Sequence, residues 1–203
     1  LGIKRVNGSF QKAKKPLLIN DLKTIIKAIN EKEKDELKKI RNKSLILLGF
    51  SGGFRRSELV NIEYEDLEFV NEGVKIFIKR SKTDQAGEGS IKAIPYFQNS
   101  EYCPVKNLES LISYREIKGG RIYDISDKSV SLIIKKYALI GGLDPIKYGG
   151  HSLRSGFATS AAEAGVEERN IMAMTGHKTT QMVRRYIQEA DLFKNNALNK
   201  IKI

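Results

Sequence analysis

Tyr186 lies near the end of the chain in the stretch TGHKTTQMVRRYIQ (residues 175–188), where two arginines precede it. The same stretch carries His177, one of the two histidines of the sequence. Tyrosine is most often a packing or interface residue, but a phenol oxygen held close to a phosphate is also a nucleophile. Tyr186 lies 186 − 177 = 9 residues beyond His177, so a turn and about two helical turns bring both side chains toward one phosphate.

Three other motifs carry side chains that bind or protonate a phosphate. GGFRRSEL puts Arg55 at a glycine turn that opens a helix, where its guanidinium and nearby backbone N–H groups face an anion together. GGHSLR places His151 and Arg154 three residues apart, on one face of a helix. The loop SKTDQ presents Lys82 between two strands. Each motif alone is more typical of a surface charge, so the function depends on whether the fold brings them together.

The pattern of apolar residues predicts the elements that carry these groups. Residues 22–29 repeat apolar side chains at helical spacing, with Asn20 as the N-cap. A second helical pattern, KDELKKIRNKSLILLGF, stops at SGG before the short helix RRSELVNI. The segments LEFV, VKIFIKR and SIKAIPYF are then short, rich in Val, Ile and Phe, and separated by turn residues. They predict a small antiparallel meander of three strands.

The chain returns to helical patterns after Pro104. Five segments follow, namely PVKNLESLISYREI, SDKSVSLIIKKYALIGG, HSLRSGFATSAAEAG, EERNIMAMTG and TTQMVRRYIQEA. Three of these helices are predicted to end at glycines, namely the pair Gly141-Gly142, then Gly165 and Gly176. A last amphipathic stretch, ADLFKNNALNKI, either packs on its own chain or docks on a neighbouring protomer. The predicted fold class is therefore mainly α with a small antiparallel three-stranded β-sheet.

The charge of the chain favours a polyanionic partner. The 203 residues carry 36 Lys and Arg against 24 Asp and Glu, a net charge of +12, and nucleic acid is the commonest partner of such a field. Cys103 is the only cysteine, which excludes an intrachain disulfide and a thiolate zinc cluster and fits a reducing compartment. No run approaches the length of a membrane span. We therefore expect a cytoplasmic protein without a membrane segment and, because the first residue is not Met, a fragment of a longer chain.

Taken in order, these motifs resemble the catalytic domain of the tyrosine recombinase (phage integrase) family. The landmarks are SGGFRRSELVNI, SKTDQ, GGHSLRSGFAT and MTGHKTTQMVRRYI, and the resemblance extends from about residue 15 to residue 190. It implies the family's catalytic-domain fold and its catalytic residues, which fall here on Arg55, Lys82, His151, Arg154, His177 and Tyr186. Glu58 matches the family's acidic residue and is expected to orient the site. Arg56 occupies a variable position, and the turn reads SGGF where relatives read TGL.

The resemblance implies strand cleavage through a 3′-phosphotyrosyl intermediate with a free 5′-hydroxyl, and it implies neither a metal nor a cofactor. Arg55 and Arg154 suit the nonbridging oxygens, because a guanidinium fork both orients a phosphate and stabilises its added charge. His177 would add a hydrogen bond, and His151 would accept or position the phenol proton. Lys82 resembles the family's general acid. Two histidines without a carboxylate or thiol cluster also make a poor metal site.

The predicted function is that of a site-specific DNA recombinase or integrase of a mobile genetic element, working as a tetramer of identical protomers on paired double-stranded DNA sites. Residues 1–16 are predicted to be a basic linker to a missing N-terminal DNA-binding domain, residues 17–190 the catalytic domain, and residues 191–203 a C-terminal tail or helix. Three alternatives stay open. They are a type IB topoisomerase-like enzyme that relaxes supercoils, a non-catalytic DNA-binding remnant, and an RNA-binding protein without catalysis.

Overall fold

The chain folds mainly into α-helices, with one small sheet, over the residues that the computed structural model describes, which are 14–79, 89–177 and 179–191. The helices are α1 (Ile19–Lys32), α2 (Glu36–Ser51), α3 (Arg56–Val60), α4 (Pro104–Tyr114), α5 (Asp127–Ile140), α6 (Ser152–Glu163), α7 (Glu168–Thr175) and α8 (Thr180–Asp191). The strands are β1 (Leu67–Val70), β2 (Gly73–Ile78) and β3 (Ser90–Pro95), and short 3-10 helices cover Tyr64–Asp66 and Pro145–Lys147. The predicted fold class is confirmed. Within these ranges, none of the helices has both the length and the apolar character that crossing a membrane requires.

Helix α1 begins at Ile19 after an extended Leu18, so the predicted N-cap at Asn20 is wrong. A tertiary contact decides where the helix starts. The backbone N–H of the fully buried Leu17 donates to the carbonyl of Ser152 at 2.9 Å. That bond fixes the direction of the chain just before the helix, and Asn20 falls inside the first turn.

Helix α2 leads into the first turn of the candidate site. Asp35 caps it by accepting the backbone N–H of Lys38 at 3.0 Å, and the helix ends at Ser51, where the SGG stop predicts. Residues 44–49 are all buried, because α2 packs between α4 and α6. The C-terminal part of α2 is thus buried on all sides and is a rigid base for the turn that follows it.

The three strands form the predicted antiparallel meander, in the order β1-β2-β3. Ile76 and Ile78 of β2 face the core. Ile76 pairs with Lys92 of β3, and side chains alternate along a strand, so Lys92 and Ile94 share the buried face. The SKTDQ loop that carries Lys82 lies outside the described residues.

The five predicted helices of the second half are present as α4 to α8. Gly176 ends α7 in the left-handed conformation, with φ 64°, as a C-terminal stop favours. His151 is the N-cap of α6 and not a residue of its first turn, which corrects the prediction that it lies on a helix face. Gly156 of α6 is required by a close approach, since a Cβ there would lie 2.0 Å from the carbonyl oxygen of Leu17.

The buried apolar side chains form two clusters. The larger one combines α1, α2, α4, α5 and the inner face of the sheet. The smaller one lies between α6, α7 and α8 and consists of Ala158, Ala162, Ile171 and Val183 among the described residues, with the half-buried Tyr186 packed against it. Tyr186 is therefore supported mainly by the smaller cluster. The amphipathic stretch after α8, predicted to pack or to dock, lies outside the residues described.

Candidate active site

Arg55 lies in the turn between α2 and α3, where Glu58 binds both its backbone and its side chain. The Glu58 carboxylate accepts the backbone N–H of Arg55 at 2.9 Å and its Nη1–H at 2.5 Å. The Glu58 side chain is 4% exposed, whereas the Arg55 side chain is 23% exposed. This pair of contacts fixes the direction of the guanidinium and leaves part of it accessible. The role of Glu58 in orienting the site stays a prediction.

Arg154 lies on α6 and is almost completely buried. Its Nη1–H donates at 2.9 Å to the carbonyl of Gly53, two residues before Arg55. Burial, followed by the charge of Arg55, lowers the pKa of Arg154 to about 10, so the side chain stays protonated at neutral pH. Taking a cation out of water is costly unless an anion compensates it. A bound phosphate between the two guanidiniums would supply that compensation.

His177 follows the C-terminal end of α7, and Thr175 orients its ring. The Thr175 hydroxyl lies 2.6 Å from the Ile171 carbonyl and 2.8 Å from Nδ1 of His177. A hydroxyl has one proton, so when Thr175 donates to Ile171 the ring donates from Nδ1 and keeps Nε2 as an acceptor. Burial, with smaller contributions from Arg154 and other nearby cations, lowers the pKa of His177 to about 4. The ring is therefore neutral at pH 7.

Tyr186 lies on α8 directly beside His177. The two ring centroids are 6.1 Å apart and the ring planes differ by 27°, which is a stacked arrangement. The spacing of 186 − 177 = 9 residues predicts this approach, and the turn between α7 and α8 produces it. A stacked neighbour restricts the tyrosine to few rotamers. The phenol is thus held beside the groups that would bind a phosphate.

His151 borders a concave surface of about 200 Å³ whose wall includes Arg55 and Arg56. The pKa of His151 is lowered, first because neighbouring atoms exclude water and then because of Arg154, Arg55 and Arg56. Arg56 was predicted only to fill a variable position. The structure packs it against Gly150, where a Cβ would lie 1.8 Å from the Arg56 Cδ. Because Gly150 has no side chain, the Arg56 side chain can lie beside His151 on this wall.

A larger cleft, of about 550 Å³, also borders Glu58. Its carboxylates Glu63 and Asp66 both form ion pairs with Lys79. Charges that are compensated within the protein leave little attraction for a phosphate. The smaller surface beside Arg55 is therefore the better candidate.

Lys92 is a part of the site that the motifs did not identify. Its ammonium donates to the carbonyls of Gly52 and Met174, in the turns that precede Arg55 and His177. The segment SIKAIP contains a pattern that identifies Lys92 as a buried residue. Side chains alternate along a strand, so the alternation that turns Ile94 inward also turns Lys92 inward. A charged residue at a core-facing position of a strand is a reason to expect a site.

The cluster carries more positive than negative charge. Among its described residues, three cationic side chains, Arg55, Lys92 and Arg154, stand against the carboxylate of Glu58. The site is therefore suited to an anion. Over the same described ranges, no group of three His, Cys, Asp or Glu side chains is placed to hold a metal ion.

The sequence model of the phage integrase family matches residues 16–192 of this chain. The chain belongs to the phage integrase family. Among curated members, an integrase/recombinase named as a xerD homolog, from Selenomonas ruminantium, is 44% identical over 211 residues, which cover 98% of this chain and 61% of the relative. The tyrosine recombinase XerA of Pyrococcus horikoshii is 29% identical over 188 residues, covering 89% of this chain and 63% of the relative. This phage integrase chain thus spans about three fifths of the length of these relatives.

Solved structures of recombinases share the fold of this phage integrase chain. The XerH site-specific recombinase bound to palindromic difH substrate, in a post-cleavage complex, matches with a TM-score of 0.71 and 18% identity over 94% of this chain and 56% of that chain. XerA recombinase matches with a TM-score of 0.69 and 18% identity over 95% of this chain and 66% of that chain. At this level of identity the likeness establishes the fold.

The phage integrase fold brings five of the six predicted catalytic residues to one region. Arg55, His151, Arg154, His177 and Tyr186 lie around the turn after α2, the start of α6 and the turn between α7 and α8. The sixth, Lys82, lies outside the described residues. Their individual catalytic roles remain predictions.

Proposed function

We propose that this chain is the catalytic domain of a site-specific DNA recombinase. It cuts and rejoins DNA strands through a 3′-phosphotyrosyl intermediate. The observation that carries the proposal is the stacking of Tyr186 on His177 at 6.1 Å, beside the guanidinium cluster of Arg55 and Arg154. A packing tyrosine needs no such surroundings, whereas a nucleophile that attacks a phosphodiester does.

The names of the similar proteins support this function. The Selenomonas ruminantium relative is named an integrase/recombinase, and XerH has been solved with difH substrate in both pre-cleavage and post-cleavage complexes. XerH thus binds a substrate that is cleaved. Double-stranded DNA is the substrate that we propose for this chain, and its charge of +12 fits that partner.

In the proposed reaction, Arg55 and Arg154 bind the nonbridging oxygens of the scissile phosphate. Glu58 holds the first guanidinium and the carbonyl of Gly53 holds the second. Since both are fixed before DNA arrives, little reorganisation is needed when the phosphorus gains its fifth oxygen. His177 donates a hydrogen bond from Nε2 to the same phosphate once Thr175 turns its hydroxyl proton from the Ile171 carbonyl to Nδ1, which moves the ring proton to Nε2.

The phenol oxygen of Tyr186 attacks phosphorus, and the bond to the 5′-oxygen breaks. His151 takes up or positions the phenol proton, a role that needs a neutral ring, and its lowered pKa keeps it neutral at pH 7. Lys82 protonates the departing 5′-oxygen. Because the phosphotyrosyl ester conserves the energy of the broken bond, a second 5′-hydroxyl can attack it and rejoin the strands without ATP.

The full recombination reaction requires partners beyond this chain. We propose a tetramer of identical protomers on paired DNA sites. Residues 1–16 would connect residues 17–190 to an N-terminal DNA-binding domain. The relatives' greater length supports this division.

Covalent trapping tests the proposal. The chain is incubated with nicked suicide duplexes that carry a randomised core, and the products are separated on a denaturing gel. We expect a protein–DNA band that Tyr186→Phe abolishes and that Tyr114→Phe, a change at an exposed tyrosine of α4, leaves intact. Salt-sensitive DNA binding without any covalent band would instead indicate a non-catalytic remnant. Relaxation of supercoils without strand exchange between paired sites would indicate a topoisomerase.

A further inference from the structure

Lys92 is a buried lysine in the middle of a strand. It lies on β3 with 6% of its surface exposed, on the same face as the buried Ile94. A lysine is rarely buried to this extent without partners, because removing an ammonium from water is costly. Its position therefore calls for a specific explanation.

The ammonium is bound on three sides. Nζ donates to the carbonyl of Gly52 at 2.7 Å and to the carbonyl of Met174 at 2.5 Å. It also lies 4.5 Å from the centroid of the Phe54 ring, which is a cation–π contact. Two of its three N–H groups are thus directed to backbone oxygens within the protein.

Those two carbonyls mark the ends of two helices. Gly52 is the C-cap of α2, and Met174 lies in the last turn of α7. Carbonyls at a helix C-terminus lack intrahelical partners and carry the negative end of the helix dipole. The ammonium of Lys92 therefore satisfies both helix ends at once.

Each of the two helix ends leads directly to a residue of the candidate site. Arg55 follows Gly52 by three residues, and His177 follows Met174 by three residues. The two turns also touch, since a Cβ at Gly53 would lie 3.2 Å from the Thr175 methyl carbon. Through its two hydrogen bonds, Lys92 thus connects the turn that carries Arg55 to the turn that carries His177.

We propose that Lys92 is a positioning residue, whose ammonium holds the ends of α2 and α7 together so that Arg55 and His177 face the same phosphate. This inference rests on the proposed recombinase function. We do not assign Lys92 the general-acid role, because two of its three N–H groups are engaged by the carbonyls of Gly52 and Met174.

The charges around Lys92 are consistent with this role. Burial lowers its pKa to about 8, with Arg154 and Arg55 acting in the same direction and Glu58 opposing them. The ammonium form thus persists at neutral pH. In return, the charge of Lys92 contributes to the low pKa of His177.

Histidine NMR of the DNA-free chain tests the contact independently of catalysis. The sequence has only two histidines, so their ring signals can be assigned with His151→Gln and His177→Gln. In Lys92→Met we expect the His177 signals to move and its pKa to rise, because a nearby cation is lost. Lys75→Met is the matched control, since Lys75 pairs with Glu68 on the exposed face of the same sheet. Unchanged His177 signals in a folded Lys92→Met chain would overturn the proposal.

Cleavage at saturating suicide DNA tests the consequence. Displacing a reacting group by about 1 Å costs about 100-fold in rate, so we expect Lys92→Met to form the covalent adduct about 100-fold more slowly. DNA affinity should change by less than about threefold, because Lys92 does not contact DNA. Lys92→Arg keeps the charge and two donors and should recover the rate to within about tenfold.

Two kinetic results would contradict the positioning role. One is adduct formation by Lys92→Met at the wild-type rate, and the other is a Lys92→Arg chain as slow as Lys92→Met. Thermal unfolding of each variant identifies chains that fail to fold. If the wild-type chain itself forms no adduct, the recombinase function fails, whereas the NMR experiment still decides whether Lys92 orders the His177 turn.

Discussion

Glu58 illustrates how a single side chain balances a cluster of like charges. Its carboxylate binds both the backbone and the guanidinium of Arg55, and its charge also acts on Lys92 and Arg154. Removing one partner from a buried ionic group leaves the others uncompensated. The orientation of Arg55 and the stability of the cluster therefore depend on the same residue.

Glu58→Gln should destabilise the DNA-free chain by about 2–3 kcal/mol, because the buried cations lose their carboxylate. Urea unfolding at pH 7 measures the loss. Glu72→Gln, at an exposed position beside the sheet, is the control and should be neutral. A chain as stable as the wild type would show that water, and not Glu58, compensates the cluster.

His177 should make stability depend on pH. Its pKa is about 4 in the folded chain and about 6.5 when unfolded, so between these values the unfolded chain binds more protons. Stability is then complete above pH 6.5 and decreases as the pH falls toward 4. The two pKa values correspond to a loss of about 2 kcal/mol at pH 5, and we expect about 1 kcal/mol because the ring is only half-buried and solvent screens part of the effect. Urea unfolding at pH 7 and pH 5 measures this, and His177→Gln should reduce the difference. An equal pH dependence in the variant would contradict the assignment.

At the scale of elements, local patterns predicted which segments are helices and strands but not how they meet. Periodicity identified β3, and its alternation even marks Lys92 as inward. Neither reveals that the partners of Lys92 are carbonyls of α2 and α7, 40 and 82 residues away. The predicted cap at Asn20 failed for the same reason, because a bond from Leu17 to Ser152 decides where α1 starts. Motifs predict which side chains react, whereas tertiary contacts show which groups orient these side chains.

Gly156→Ala tests the contact between α6 and the segment before α1. Alanine is the better helix former by about 1 kcal/mol, so helix propensity alone predicts stabilisation. The Cβ, however, would lie 2.0 Å from the Leu17 carbonyl oxygen, and we expect a net loss of about 2 kcal/mol. Thermal unfolding decides between the two signs. A raised melting temperature would show that the segment before α1 moves away at little cost.

At the scale of the whole molecule, the excess of cations would govern how the chain binds the DNA substrate that we propose. The net charge is +12, and each phosphate that a lysine or arginine neutralises releases counterions. Affinity should therefore be strongly salt-dependent even where sequence preference is weak. Base contacts, which give specificity, add to this background.

Without DNA, this same charge opposes self-association. We expect the isolated chain to sediment as a monomer or a weakly associating species and to assemble only on DNA. Analytical ultracentrifugation at two salt concentrations, with and without duplex, measures this. A stable tetramer in the absence of DNA would contradict the prediction.

The smaller apolar cluster has a consequence for the timing of cleavage. Among the described side chains, helix α8 packs through its own Val183 on Ala158, Ala162 and Ile171, a cluster separate from the large core around α2. Units with little buried apolar surface open at a lower free energy than the whole domain. Amide protons of α8 should consequently exchange with solvent sooner than those of α2. Such a subglobal opening would carry Tyr186 away from the guanidiniums, so the proposed attack should occur only while α8 is closed.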